Sequence, residues 1–395
     1  MDPRREARIL EEIAAARAGA EVPRGEDGDA PLPIRAYTDP AVYAAELRGI
    51  FRRAWLPVGR EAELAEPGDY LTLELAGDAL AVTRGTEGGL HAFHNVCRHR
   101  GAVILREPRG RVEALRCPYH GFTYSLDGAL VRAPAPDSFD GGAEPAETRL
   151  PAVAVDTWGG WVWISLAAEP GSLAEFLGAE LLGELELWDF GRAELKARQE
   201  FTAGFGWKVG VEAFLESLHL PSIHGRSAHP LVDYRAASMA SLGDHSRMVT
   251  GFRSPGAYSP DGPMGRAAAE AGVGNFPRLN RAQREANLSY LVFPSTVLNL
   301  LPNHFTVFRL VPLAVGRTLF VHELYGAPAG NPAAEAYYRS LEPGYEQLLE
   351  EDLENLPWIQ RGVGDSSLGE LRLSRYERRI RHFRQRVSHW IGTCG

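Results

Sequence analysis

Two short runs constrain this chain more than anything else in it: Asn95-Val96-Cys97-Arg98-His99-Arg100-Gly101 and Cys117-Pro118-Tyr119-His120-Gly121. Together they read C-x-H, a gap of 17 residues, then C-x-x-H. Zinc accepts two Cys and two His, but its usual spacing keeps the cysteines together and the histidines together. Here each arm offers one thiolate and one imidazole. That division suits a [2Fe–2S] cluster with Cys97 and Cys117 on one iron and His99 and His120 on the other. Two neutral imidazoles in place of two thiolates remove two negative charges, so such a cluster takes up an electron more readily than an all-cysteine one. A zinc knuckle, or two chance turns, would have to explain why two of only 3 cysteines fall here.

A length of 395 residues suggests two or three domains, or one large one. The net charge of −9 comes with no basic block, so no nucleic-acid partner is expected. No apolar run is long enough to span a membrane. The start, Met1-Asp2-Pro3-Arg4-Arg5-Glu6, has no apolar segment behind it and does not read as a signal peptide. With no disulfide framework, and with Cys394 read as an exposed bystander, a reducing cytoplasm is the expected compartment.

Residues 3–18 read as a helix and 19–34 as a linker, so 1–40 is an N-terminal helix-and-linker segment. A second helix is expected over Tyr43–Trp55. Pro67-Gly68-Asp69 signals a turn, and short strands follow from Tyr70–Leu75 and Ala79–Thr83 to Trp161-Val162-Trp163-Ile164-Ser165. This is an all-β module, residues 41–168, with both Cys/His arms on its loops. Beyond it, residues 169–395 change texture. Leu195–Thr202 reads as a strand, Gly206–Leu220 as a helix, and 225–285 as loop-rich. Strands are expected at Ser289–Leu301, Thr306–Pro312 and Thr318–Tyr325. A helix follows over Pro332–Pro357, then a basic amphipathic helix over Leu371–Ile391. The fold class is α+β, a sheet covered by helices.

The helix expected at Gly206–Leu220 holds a second centre. Trp207, Val211, Phe214, Leu215 and Leu218 recur at helical spacing, opposite Lys208, Glu212, Glu216 and His219. Pro221 breaks the helix, so His224 arrives from the turn beyond and is free to converge with His219. Against a plain solvated face, two imidazoles this close point to a mononuclear Fe(II) site, which needs one carboxylate more and leaves open positions. In the later helix, Tyr345, Leu348, Leu349, Leu353, Leu356 and Ile359 form an apolar stripe, and Asp352 alone interrupts it. A buried carboxylate needs a partner or a metal. Asp352 is the third ligand on this reading, and an Arg-paired Asp is the alternative. Pro357 should kink the helix just beyond it.

Taken together, these residues resemble the large (α) subunits of Rieske non-heme iron oxygenases, the ring-hydroxylating dioxygenase and demethylase family. The likeness runs from Phe51-Arg52-Arg53-Ala54-Trp55 through both arms to Glu216-x-x-His219-x4-His224, Asp352 and Gln360-x-Gly362. It implies an N-terminal all-β Rieske [2Fe–2S] domain joined to a C-terminal helix-grip catalytic domain. It implies that His219, His224 and Asp352 hold the iron where O₂ is activated. It places Glu216 as the carboxylate bridging a cluster histidine of one subunit to an iron histidine of its neighbour, in a homotrimer. The chain also departs from the family's patterns. Glu216 stands where many dioxygenases have Asp, Ala213 where Asn is frequent, and Phe122 where Trp is frequent.

Glu216, three residues before His219, can accept N–H bonds from imidazoles and orient them. Glu212 either lines the same polar path or pairs with Lys208. The chain lacks G-x-G-x-x-G, a P-loop and a plant-type ferredoxin run, so a separate NAD(P)H-dependent reductase, directly or through a ferredoxin, must feed it. The expected function is a terminal oxygenase that uses O₂ to hydroxylate, demethylate or dihydroxylate an organic small molecule, with a tilt to monooxygenation. The rivals are a non-catalytic Rieske-type electron-transfer protein and a zinc-binding structural protein. Asn299 and His304, polar positions near strand ends, are candidate substrate contacts.

Overall fold

The computed structural model describes residues 1–19, 31–139 and 149–392. Cys394 and most of the 19–34 linker lie outside them. The chain divides into two units, Phe51–Phe176 and a second made of Met1–Ile50 with Leu177–Gly395. The expected division fell at 40/41 and 168/169. The difference has a cause at the N-terminus: helix α1 (Pro3–Arg17) packs on strands of the second unit. Its N-cap Asp2 accepts the Arg4 N–H, and Ile9 and Ile13 are its buried residues.

The first unit is all β. Strands β1 (Leu56–Arg60), β2 (Asp69–Leu75), β3 (Asp78–Arg84), β4 (Leu90–His94) and β5 (Arg109–Arg111) precede three short ones. These are β6 (Leu115–Arg116), β7 (Thr123–Tyr124) and β8 (Leu130–Arg132), which form a small sheet of their own. Strands β9 (Ala152–Trp158) and β10 (Trp161–Ser165) complete a seven-stranded antiparallel sheet in the order β1-β10-β9-β4-β3-β2-β5. All five residues of β10 are buried, matching its unbroken apolar run. A core of Tyr70, Phe93, Ile104, Leu115, Phe122, Tyr124 and Leu130 includes both Cys97 and Cys117.

The second unit is α+β. Strands β11 (Glu194–Ala203), β12 (Val232–Leu242), β13 (His245–Phe252), β14 (Ala286–Val292), β15 (Thr296–Leu301), β16 (His304–Ala314) and β17 (Arg317–Gly326) form one sheet, ordered β11-β17-β16-β15-β14-β13-β12. Helices α2 (Pro40–Glu46), α3 (Trp207–Ala213), α4 (Pro332–Gly362) and α5 (Arg378–Trp390) belong to this unit. Gly210 lets α3 lie close to β16, because a Cβ there would come within 2.4 Å of Leu310 Cδ2. Helices α3, α4 and α5 pack against strands of this antiparallel sheet, giving the expected α+β unit.

Several local expectations are corrected. The helix placed at Tyr43–Trp55 is α2 plus a π-helical turn, Leu47–Phe51. The strand placed at Ser289–Leu301 is a hairpin, β14 and β15, whose turn contains Pro294, a residue with no N–H for the ladder. The region 225–285, read as loops, carries the β12–β13 hairpin across Gly243-Asp244. Its Ser, Ala and Arg content hid it, because strand preference depends on what covers the faces. Arg379 of α5 does part of that covering, with Nε donating to Ser246 Oγ at 3.1 Å. Helix α5 begins at Arg378 rather than Leu371, since Glu370–Leu371 pairs as a strand with Leu32–Pro33. Its basic residues are not a solvated face, for Arg379, Arg381, His382 and Arg384 are all buried. Helix α4 continues through Pro357 to Gly362.

Candidate metal centres

The two arms of the first unit fold as copies of one turn. In each, the cysteine carbonyl accepts the N–H of the glycine four residues on, Gly101 to Cys97 and Gly121 to Cys117, both at 3.0 Å. In each, the cysteine N–H donates to the carbonyl five residues on, that of Ala102 at 2.9 Å and of Phe122 at 2.8 Å. Gly101 and Gly121 close these turns at φ +74° and +77°, where a side chain is strained. The turns point the cysteines inward and the histidines outward. Cys97 and Cys117 are buried free thiols, 2% and 3% exposed. His99 and His120 converge, Nδ1 to Nδ1 at 3.1 Å. Tyr124 braces the first arm: its hydroxyl lies 3.4 Å from Cys97 Sγ and accepts the Arg98 N–H at 3.0 Å. Two imidazole nitrogens and two buried thiols brought to one end of the unit fit a mixed Cys/His cluster.

The second centre is assembled by tertiary structure. Helix α3 stops at Ala213, short of the expected Leu220, because Phe214 and Leu215 donate to carbonyls only three residues back. Beyond it, Glu216 supplants a helical carbonyl. Its Oε2 accepts the N–H of Leu218, and that of His219 at 3.2 Å. Its Oε1 meets His219 Nδ1. A turn then carries His224 round, its N–H bonded to the Leu220 carbonyl at 3.0 Å. Asp352 is 7% exposed and lies between Leu349 and Leu356 on the buried stripe of α4. Gln360 ties the two helices together, its Oε1 accepting the Gly206 N–H at 2.8 Å.

His219, His224 and Asp352 thus meet, with one ligand atom from each lying within 4.8 Å of the others. Asp352 Oδ1 is 3.1 Å from His224 Nε2 and 4.0 Å from His219 Nε2. Both Nδ1 positions are taken by carboxylates, that of His219 by Glu216 and that of His224 by Glu351 Oε2 at 2.8 Å. Outer carboxylates of this kind fix the ring orientation of metal-binding imidazoles. Two nitrogens and one oxygen facing each other fit a two-histidine, one-carboxylate ferrous site. Burial would lower the His224 pKa, but Asp352 and Glu351 overcome it and raise it.

Sequence reasoning assigns no role to Glu351, yet the structure gives it one beside His224. Ser227 Oγ donates to its Oε2 at 2.5 Å and Gln347 Nε2 to its Oε1 at 2.9 Å. Its position next to Asp352 was the available signal.

Glu212 does not pair with Lys208. Lys208 is buried against Glu46 of α2, 2.5 Å from Nζ to each carboxylate oxygen. Glu212 accepts from Tyr37 Oη at 2.7 Å and has Arg384 Nη1 3.9 Å away. Burial pushes its pKa up to about 7, against the pull of Arg384 and Tyr37. Lys208, pushed down to about 8 by burial, is likewise no solvated residue. His304 is fully engaged, with Nδ1 2.6 Å from Asn303 Oδ1 and Nε2 2.7 Å from Tyr345 Oη. Asn299 lies half-buried on β15, opposite Ser289 and Thr306.

Comparison with known proteins matches a family to each of the two parts of the chain. Residues 190–393 match the ring hydroxylating alpha subunit catalytic domain, and residues 54–154 the Rieske [2Fe–2S] domain. The chain belongs to the ring-hydroxylating α-subunit family. It is therefore a Rieske oxygenase α subunit, an oxidoreductase with a Rieske cluster domain and a mononuclear-iron catalytic domain. Proteins of this family work with separate electron-transfer partners. The chain is 32% identical to the glycine betaine monooxygenase oxygenase subunit of Chromohalobacter salexigens over 337 residues, 78% of this chain and 74% of that one. Two solved structures share the fold. The quaternary ammonium Rieske monooxygenase CntA in complex with L-carnitine has a TM-score of 0.76 at 23% identity, over 92% of this chain and 97% of that one. Naphthalene 1,2-dioxygenase from Rhodococcus sp. has a TM-score of 0.75 at 20% identity, over 99% and 98%. Among the described residues, no helix is long and apolar enough to cross a membrane.

Proposed function

We propose that this α subunit is the terminal oxygenase of a multicomponent system that monooxygenates an alkylammonium substrate. In this reading Cys97, His99, Cys117 and His120 hold the cluster, and His219, His224 and Asp352 hold Fe(II). The observation that carries it is the two-histidine, one-aspartate convergence in a chain so similar to a glycine betaine monooxygenase subunit. When bound, the cluster supplies single electrons and the ferrous ion supplies the place where O₂ is reduced.

The chain's own residues then do the positioning. Glu216 and Glu351 each hold a proton at Nδ1 of their histidine, so both rings present Nε2 toward Asp352. A hydrogen-bonded carboxylate also makes each imidazole a stronger ligand. Phe214 and Phe308 stack at 4.6 Å, and His322 stacks on Phe308 at 5.0 Å, so these rings pack as one aromatic layer beside the sheet. Electrons come from a separate NAD(P)H-dependent reductase, directly or through a ferredoxin. Glu216 further serves as the bridge between subunits of a homotrimer, and Glu212 as part of the polar path behind it.

Iron and acid-labile sulfide per chain, on protein purified without oxygen, test the assignment. The expected ratio is about three irons to two sulfides. Asp352→Ala should bring it to about two to two, leave the cluster's visible spectrum intact, and abolish oxidation of trimethylammonium compounds with a surrogate reductase. Turnover retained in that variant removes Asp352 as a ligand.

A further inference from the structure

A cleft of about 200 Å³, open to solvent, lies at the edge of the catalytic sheet, between β11 with β17 and the first half of α4. Its walls are Lys196, Arg198 and Gln199 on one side and Glu342 and Glu346 on the other, with His322, Leu324 and Tyr345 also lining it. Gln199, His322 and Phe308 are register partners across three neighbouring strands, so they share one face of the sheet. Gln199 Nε2 donates to Glu346 Oε1 at 3.0 Å across the cleft.

The charges in this cleft are lopsided. Lys196 is held by Glu194 at 2.8 Å and Glu335 at 3.0 Å. Arg198 is held by Glu200 at 2.8 Å and Glu323 at 3.4 Å. Both lining cations are therefore answered by two carboxylates each. Glu342 and Glu346, at i and i+4 on α4, have no cation partner among the described residues. Like charges at that spacing repel, which a bound cation would relieve. The inner wall is aromatic, with the His322 and Tyr345 rings 5.7 Å apart. His322 is 3% exposed, and its Nε2 has no hydrogen-bond partner. Burial pushes its pKa down to about 4, so it adds no positive charge at neutral pH. Carboxylates at the rim and neutral aromatic rings within are the chemistry that captures an alkylated ammonium group.

We infer that this cleft binds small organic cations and is where an alkylammonium substrate is first held, which rests on the substrate class proposed above. Tyr345, which lines the cleft, shares helix α4 with Asp352. It precedes Asp352 by seven residues, two helical turns, so both lie on the inner face of α4 roughly 10 Å apart along its axis.

The test is calorimetric titration of the metal-loaded enzyme, without O₂, with choline and with its neutral carbon isostere 3,3-dimethylbutan-1-ol. Choline should bind the more tightly, and raised salt should weaken it. In the double variant Glu342→Gln/Glu346→Gln, choline affinity should fall about tenfold, the sum of two solvent-accessible charge contacts. The isostere should bind as it does to the wild type. Equal binding of the two compounds by the wild type, or undiminished choline binding by a folded double variant, overturns the inference. Turnover separates this result from the substrate proposal. If the cleft binds choline as expected and no trimethylammonium compound is oxidised, the substrate class fails and the cation site stands. If such a compound is oxidised and the variant's affinity is unmoved, the cleft alone fails.

Discussion

The cluster arms and the iron triad use the same kinds of side chain and are built by opposite routes. Each arm is complete in five consecutive residues, Cys97–Gly101 and Cys117–Gly121, and the backbone turn aims the ligands. The triad has no such local frame. His219 and His224 sit on a turn shaped by the Glu216 side chain, and Asp352 reaches them from a helix that begins at Pro332. The difference teaches where each site is vulnerable. A backbone change should break the arms, whereas a change in supporting side chains should loosen the triad.

The sharpest test of that contrast is Glu351→Gln, which spoils the carboxylate holding His224 Nδ1. Ferrous iron affinity should fall about ten- to a hundredfold, with the cluster spectrum unchanged. Wild-type iron retention in a dialysis series would mean His224 is aimed by the backbone after all. On the other side, Gly121→Ala meets no close atoms but forces an alanine to φ +77°. It should cost the first unit about 1–2 kcal/mol and bleach the cluster at a lower temperature, with iron binding to the second unit untouched. An unmoved bleaching temperature would show that the arm tolerates another turn.

The smallest effect concerns the buried polar support behind α3. Glu212 keeps its proton up to about pH 7 in the folded chain, because burial disfavours the carboxylate. An unfolded chain loses that proton near the usual carboxyl value of 4.5. The folded state thus binds the extra proton between these limits, and its stability from this group is lost as pH rises through them. Glu212→Gln should flatten that decline in the second unit's denaturation midpoint between pH 5 and 8 and leave the first unit's midpoint unmoved. A slope identical to wild type would show that Tyr37 and Arg384 hold Glu212 ionised throughout.

Much of this was legible beforehand. Asp352 could be found because a carboxylate in an apolar stripe is conspicuous, and the buried β10 because its apolar run is unbroken. The β12–β13 hairpin was not legible, since Ser, Ala and Arg form strands only where something covers them, and Arg379 from α5 does so. The fate of Lys208 and Glu212 was also hidden. Their spacing suggested a mutual pair on a wet surface, yet Glu46, Tyr37 and Arg384 arrive from segments remote in sequence and bury them.

The candidate ligands of both centres and the division into an all-β and an α+β part followed from the sequence alone. These depend on residue type, short spacing and periodicity, which act over a few neighbouring residues. The tertiary structure decided which carboxylate answers which histidine, where α3 stops, and that a cleft lined by Glu342 and Glu346 opens beside Tyr345. Those depend on burial and on partners brought together across the fold, and a side chain's charge and reach are set by what surrounds it.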